Sequence, residues 1–130
     1  TETVVLPQRH RLRGRGIFDY LYQRGQRFQQ GLLQLRVAEA APQLLREPPG
    51  ELDRELRFGV VISSKVSKRA VKRNRLRRRL HNAFMSQSFR QDLPPTWLLL
   101  NLRPGAAELS DDNLLKEWST LIQRAGLTDS

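Results

Sequence analysis

The chain has 130 residues, of which 38% are hydrophobic, so it has the length and composition of one ordinary folded domain and not of a disordered chain. With 23 Lys and Arg against 13 Asp and Glu, its net charge of +10 indicates a polyanionic partner or an anionic surface. The absence of cysteine excludes a disulfide scaffold, a zinc–thiolate site and a thiol nucleophile.

The N-terminal segment has no signal-peptide core, and no apolar run approaches the roughly 20 residues that span a membrane. We therefore expect a soluble, cytoplasmic protein with no membrane partner. A single domain is expected over residues 1–130, with a flexible N-terminus over about residues 1–8 and a proline-containing loop over about residues 40–55.

The first predicted elements are a short helix and a β-hairpin. Residues 17–24 predict the helix because apolar side chains recur at helical spacing, and Gly25 stands where the helix should stop. A short strand near residues 27–29 turns at Gly31 into a second strand over residues 32–38. In this second strand, apolar and polar residues alternate as Leu33, Gln34, Leu35, Arg36 and Val37.

The second half of the chain predicts a strand, a helix, a strand and a helix. The strands cover residues 57–63 and 96–103, and a long basic helix covers about residues 66–90. Ser110 has the side chain of an N-cap for the final helix, and two aspartates follow in the first turn, where the helix dipole favours negative charge. This order of elements predicts an α+β fold, with helices packed on a mixed sheet.

The basic residues are segregated along the chain. Residues 56–91 contain no acidic residue, and Asp19 is the only one in residues 3–38, whereas these two segments hold most of the Lys and Arg. A surface that serves only solubility intersperses both signs of charge. The segregation therefore predicts one electropositive face.

The predicted basic helix is most highly charged over residues 65–79, where nine of fifteen positions are Lys or Arg. Like charges one turn apart destabilise a helix by roughly 0.2–0.5 kcal/mol per pair. Arginine predominates, and its planar guanidinium suits bidentate phosphate contacts. We therefore expect an external polyanion to neutralise this helix, although a merely solvated basic face is the simpler alternative.

Helical spacing divides this helix into a core stripe and an exposed side. The core stripe is expected to contain Leu76, Leu80, Ala83 and Phe84. Asn74, Arg78 and His81 fall nearly opposite to it. Asparagine is a poor residue for a helix interior, so Asn74 is interpreted as a polar contact to a nucleic-acid partner or as a local cap.

Aromatic residues suggest a second binding surface. Phe18 and Tyr22 lie one turn apart on the first helix, and Gln34 and Arg36 occupy the polar side of the nearby strand. Together they would form a groove in which unpaired bases stack on rings and cations follow the backbone. The alternative is that the two aromatic residues simply fill the core, as we expect for the tryptophans at positions 97 and 118.

The sequence offers no constellation for protein-borne catalysis. The two histidines, His10 and His81, belong to no Ser/His/Asp set, and neither metal-ligand spacing nor a phosphate-binding glycine loop occurs. Binding is therefore favoured over chemistry. Composition alone also allows three other classes of protein. One is a basic ribosomal protein or RNA chaperone without a role in RNA cleavage, and another is a DNA-binding protein with its helix in the major groove. The weakest alternative is a metal-dependent nuclease.

Two motifs resemble bacterial ribonuclease P protein subunits. Residues 58–84, FGVVISSKVSKRAVKRNRLRRRLHNAF, are similar to the family's strand, lysine-bearing turn and helix with its Arg-Asn-Arg, here residues 73–75. Residues 10–28, HRLRGRGIFDYLYQRGQRF, resemble the family's first helix, and the C-terminal strand and helix fit in order and length. In the family an aromatic residue is common near Arg36, and Ser64 and His81 stand where lysine and arginine are usual.

The resemblance implies a ribosomal-protein-like two-layer α+β sandwich with about three helices, a mixed sheet and a left-handed βαβ crossover. It also implies a monomer that binds one catalytic RNA, which cleaves the 5′ leader from precursor tRNA with bound magnesium. The protein alone would hold no metal or other cofactor and no catalytic residue.

The resemblance and the charge pattern together assign residues to three groups. The RNA subunit would be bound by Lys65, Lys68, Arg69, Lys72, Arg73, Asn74, Arg75, Arg77 and Arg78. The single-stranded leader would be bound by Phe18, Tyr22, Gln34 and Arg36. Further basic contacts would come from Arg9, Arg11, Arg13 and Arg15.

Overall fold

The computed structural model describes residues 12, 15–41, 44 and 56–128. Within them the chain forms three α-helices and a four-stranded sheet, which confirms the predicted α+β class. In chain order the elements are α1 (Arg15–Arg24), β1 (Gln26–Gln30), β2 (Leu33–Glu39), β3 (Arg57–Val61), α2 (Ala70–Ser86), β4 (Thr96–Leu102), a 3₁₀ turn (Ala106–Glu108) and α3 (Asp111–Arg124). None of the helices in the described part of the chain is long and apolar enough to cross a membrane.

The sheet is mixed, as predicted, with the strand order β1-β2-β4-β3. The pairs β1/β2 and β2/β4 are antiparallel, and Gly31, with a φ of 57°, makes the turn of the β1–β2 hairpin. Strands β3 and β4 are parallel and are connected through α2. The family resemblance implies that this β3–α2–β4 crossover is left-handed.

The two faces of the sheet pack against different helices. On one face, alternate residues of β2 and β4 join α2 and α3 in the main hydrophobic core. On the other face, Trp97 and Leu99 pack against Ile17 and Leu21 of α1. Because β4 is central and covered on both faces, its sequence TWLLLNL is almost continuously apolar. Both tryptophans are buried, as predicted.

Helix α2 is shorter than the prediction of residues 66–90. Before it, the backbone N–H of Val66 donates to Ser63 O in a turn, and Arg69 is extended at the N-cap with its N–H bonded to Ser67 Oγ. After it, the backbone is extended at Gln87. The Ser63 and Ser67 bonds offer the backbone an alternative to helix, so the lysine-rich stretch before Ala70 forms a loop.

Residues after α2 are tied to the end of α3. The N–H of Arg90 donates to Leu127 O at 2.9 Å, and its guanidinium donates to Gly126 O at 2.9 Å. The same guanidinium donates to the Asp92 carboxylate at 3.0 Å, and this bond lowers the pKa of that carboxyl. These contacts hold an extended segment where helical spacing alone predicted more helix.

Two further predictions meet different outcomes. At α3, the Ser110 side chain accepts the N–H of Asn113, so the predicted N-cap is confirmed.

In α2, His81 was predicted to lie opposite the core stripe, and this is wrong. His81 is half-buried, and its ring lies edge-on to that of Phe58 with 6.1 Å between centroids. The phenyl ring of β3 therefore widens the buried side of the helix beyond the aliphatic stripe.

Candidate nucleic-acid interface

The predicted cationic side chains are carried by α2 and by the loop that precedes it. The core stripe of Leu76, Leu80, Ala83 and Phe84 is buried, as predicted, so the charged positions lie along the helix sides that remain. Lys65 and Lys68 are exposed in the loop between β3 and α2. Both the loop and the helix that follows it therefore present exposed positive charge.

One side of α2 is paired with acidic residues next to it. Arg75 Nη2 lies 3.1 Å from Asp111 Oδ1, and Arg79 Nη2 lies 3.0 Å from Asp111 Oδ2. Lys72 Nζ is 4.0 Å from a carboxylate oxygen of Glu108 in the 3₁₀ turn. We call Lys72, Arg75 and Arg79 the paired flank. Its charge is partly offset within the protein, although the two arginine side chains remain 43% and 51% exposed.

The other side of α2 has no such compensation, and we call its residues Arg69, Arg73, Asn74, Arg77 and Arg78 the open flank. None of its arginines has a carboxylate of the described residues within 4.0 Å. Arg73 Nη1 donates to Ser67 O at 2.8 Å, and Arg77 Nη1 donates to Asn74 Oδ1 at 3.2 Å. These bonds orient the guanidinium groups while leaving their charge unneutralised. The open flank therefore has the composition of a phosphate-binding surface.

A second surface lies on the opposite face of the sheet, beside α1. Arg36 of β2 lies over the ring of Tyr22 of α1, with its Cζ atom 4.5 Å from the ring centroid. Its Nη1 also donates to Gln34 Oε1 at 3.1 Å. From β4, Asn101 Nδ2 donates to the Tyr22 hydroxyl at 2.9 Å. We call Tyr22, Gln34, Arg36 and Asn101 the Tyr22 platform.

Three of the four residues predicted to form a leader groove therefore lie together in the Tyr22 platform. The fourth, Phe18, is half-buried and packs against the α1 core that contains Trp97 and Leu99. Tyr22 remains 42% exposed. Phe18 therefore fills part of the core, as the alternative interpretation predicted, whereas Tyr22 does not.

Sequence reasoning missed Asn101. No local pattern connects position 101 to a helix 79 residues earlier. The available signal was the residue type, because a carboxamide interrupts the leucines of a strand that is otherwise buried.

The remaining predicted residues have mixed outcomes. Arg15 is the first residue of α1 and is exposed. Arg9, Arg11 and Arg13 lie outside the described residues, as does most of the predicted loop over residues 40–55. Across the described ranges, no three His, Asp or Glu side chains come together as a metal site would require.

The fold matches solved structures of bacterial RNase P proteins. The Staphylococcus aureus RNase P protein superposes with a TM-score of 0.74 at 14% identity, covering 92% of this chain and 98% of that one. The RNase P protein from Thermotoga maritima gives a TM-score of 0.64 at 19% identity, covering 88% and 96%. The class is therefore that of RNase P protein folds: a four-stranded mixed sheet with three helices.

The sequence comparisons show the family. The family model Ribonuclease P matches residues 6–126. The ribonuclease P protein component of Synechococcus sp. (strain RCC307) is 86% identical over 127 residues, covering 98% of this chain and 100% of that one. That of Prochlorococcus marinus (strain MIT 9303) is 46% identical over 129 residues, covering 95% and 98%.

This chain belongs to the ribonuclease P protein family, which confirms the resemblance inferred from its motifs. Its members are the protein component of the tRNA-processing endoribonuclease.

Proposed function

We propose that this protein binds the catalytic RNA of ribonuclease P and the 5′ leader of precursor tRNA, and so assists magnesium-dependent removal of the leader. The observation that carries the proposal is the presence of a cationic surface and an aromatic platform with one arginine on opposite faces of one sheet. The open flank of α2 lies on one face, and the Tyr22 platform lies on the other. One protein molecule is thereby able to contact two RNA segments at once.

The open flank suits the RNA subunit. Arginines that lack an internal carboxylate are neutralised when they bind phosphates, and each contact releases counterions. If the protein neutralises about six to ten phosphates, its affinity falls roughly 10³- to 10⁵-fold between 50 and 200 mM salt. Asn74, held by Arg77, retains its amide N–H groups as further donors.

The Tyr22 platform suits an unpaired strand. A single-stranded leader exposes the faces of its bases, and stacking on an aromatic ring contributes about 1–3 kcal/mol per base. Arg36 adds a positive charge directly beside that ring. Phe18, one turn earlier on α1, extends the apolar edge of the same groove.

The backbone of β3 and the loop after it connect the platform to α2. Asn101 of the platform lies opposite Val61 in the β3/β4 register, and the chain continues from Val61 into the loop that carries Lys65 and Lys68. That loop leads into α2. In the proposed complex, this edge of the sheet screens the repulsion between the RNA subunit and its substrate.

In this proposal the RNA and its magnesium carry out the cleavage chemistry, and the protein binds the RNA subunit and the leader of the substrate. The protein acts in the cytoplasm as a monomer, with one copy per RNA. The +10 charge supports the assignment, because the protein lies between two polyanions.

Reconstitution tests the proposal. RNase P RNA is assayed for leader removal at low magnesium with and without this protein, and the complex is titrated with precursor and mature tRNA. We expect the protein to restore cleavage and to favour the precursor. If the protein binds the RNA but restores no cleavage, it is a ribosomal-type protein or an RNA chaperone. Sequence-specific binding to duplex DNA would instead indicate a DNA-binding protein. Cleavage of precursor tRNA by the protein without RNA would indicate a nuclease.

A further inference from the structure

Four side chains from three elements of the fold are joined by consecutive contacts. Gln34 bonds Arg36, Arg36 lies over Tyr22, and Tyr22 bonds Asn101. Asn101 is in turn the cross-strand partner of Gln34 in the β2/β4 register. Tyr22 is therefore contacted on its ring by Arg36 and at its hydroxyl by Asn101.

The position of Asn101 is not explained by packing. Its neighbours along β4 are leucines, and the strand is central and covered on both faces. Asn101 Oδ1 has no hydrogen-bond partner among the described residues. The polar contact that this side chain makes within the protein is therefore at its other end, the amide nitrogen. That end donates to the Tyr22 hydroxyl.

We propose that Asn101 is a positioning residue, which holds the Tyr22 ring in place so that the platform is formed before a leader nucleobase arrives. This inference rests on the proposed leader binding. A ring that is held by a hydrogen bond at its hydroxyl and by a guanidinium on one face loses little rotamer freedom on binding. The exposed part of Tyr22 is then available for stacking.

A double-mutant cycle in the reconstituted RNA–protein complex tests the inference. The measured quantity is the leader preference, defined as the affinity for precursor tRNA divided by the affinity for mature tRNA. Asn101→Ala and Tyr22→Phe delete the same hydrogen bond from its two ends. We expect each to lower the leader preference about three- to tenfold, and the double variant to lower it no further. Asn113→Ala, in the exposed first turn of α3, is the matched asparagine control and should leave the preference unchanged.

The outcomes separate this inference from the proposed function. If the wild-type complex shows no leader preference, the leader-binding proposal fails, and the role of Asn101 fails with it. If the preference is present and Asn101→Ala leaves it intact, the inference alone is wrong. It is also wrong if Asn101→Ala has its full effect in the Tyr22→Phe background, because Asn101 then acts independently of the hydroxyl. Should Asn101→Ala not fold, Asn101→Leu takes its place in the cycle, since leucine matches the neighbouring residues of β4.

Discussion

Arg75 of α2 donates to the carboxylate of Asp111 at 3.1 Å, and this bond joins the basic helix to the first residue of α3. The second oxygen of the same carboxylate lies 3.0 Å from Arg79. Asp111 thus relieves the repulsion between two arginines one turn apart, and it occupies the place that a phosphate oxygen would take. At the N-terminus of α3 it is also favoured by the helix dipole. The carboxylate therefore stabilises the free protein, and in the proposed complex it would compete with RNA phosphates for the paired flank.

Replacing this carboxylate separates its two effects. In Asp111→Asn, we expect the free energy of unfolding to fall by about 1 kcal/mol, because two half-exposed ion pairs and a favourable dipole interaction are lost. The affinity for RNase P RNA at low salt should rise, and the dependence of log affinity on log salt should steepen by about one unit, because guanidinium groups become free for phosphate. Urea unfolding and filter binding across a salt series measure the two quantities.

Asp112→Asn is the matched control, because it removes the same charge from the next residue, which is exposed and has no arginine of the described chain within 4.0 Å. It should raise RNA affinity less and leave the salt dependence nearly unchanged. A loss of RNA affinity in Asp111→Asn at every salt concentration would instead show that the carboxylate holds Arg75 and Arg79 in place for RNA.

Neighbouring arginines on the two flanks should differ in their effect. Arg78 belongs to the open flank, and Arg79 is paired with Asp111. We expect Arg78→Gln to weaken RNA binding about tenfold at 100 mM salt and to reduce the salt slope by about one unit. Arg79→Gln should have a smaller effect on both, because its charge is already partly offset. Equal losses in the two variants would contradict the division of α2 into flanks.

The elements of the fold were predictable because their signals are local. Alternation in residues 32–38, the glycine turn at position 31 and the Ser110 cap depend on residues a few positions apart, and each is confirmed within one or two positions. The start of α2 was not predictable from helical spacing, because the serines at positions 63 and 67 bond the backbone in a loop.

The residue types of the candidate site were predictable from the sequence, but the contacts between their side chains were not. Charge density identified α2, but spacing along one helix does not reveal which side α3 covers, so the Arg75–Asp111 bond across 36 positions was invisible. The Asn101–Tyr22 bond was hidden for the same reason. Hydrophobic patterns describe burial, whereas these contacts depend on how two distant elements are placed relative to each other.

Two glycines should respond oppositely to alanine. Gly31 has a φ of 57°, and an added Cβ would lie 2.5 Å from the carboxyl carbon of Glu117, whose Oε1 accepts the N–H of Leu32 at 2.9 Å. Gly31→Ala should therefore destabilise the protein by about 1–3 kcal/mol. Gly16 lies in α1 with open space around it, so Gly16→Ala should stabilise by roughly 0.5–1 kcal/mol. Urea unfolding measures the free energy of unfolding of both variants. A Gly31→Ala variant as stable as the wild-type protein would contradict the predicted strain.

Two tyrosines of α1 allow leader binding to be tested against a change of the same size. Tyr20 donates its hydroxyl to Glu39 O at 2.8 Å, and its ring meets Trp97 edge-on with 6.0 Å between centroids. Tyr22 is the exposed member of the platform. We expect Tyr22→Ala to lower the leader preference of the reconstituted complex by at least about fivefold, and to lower the free energy of unfolding less than Tyr20→Ala does, because its contacts are exposed. Tyr20→Ala should lower the free energy of unfolding by about 1–2 kcal/mol, because it loses an aromatic pair and a hydrogen bond, and should keep the preference for precursor tRNA in the folded fraction.

Shortening the leader provides the second arm of this experiment. If Tyr22 stacks on a leader base, Tyr22→Ala and the wild-type protein should become indistinguishable once the leader is too short to reach the platform. A deficit of Tyr22→Ala that persists with mature tRNA would place its contact on the tRNA body or the RNA subunit. A loss of preference in Tyr20→Ala equal to that in Tyr22→Ala would mean that the helix as a whole, and not the exposed ring, recognises the leader.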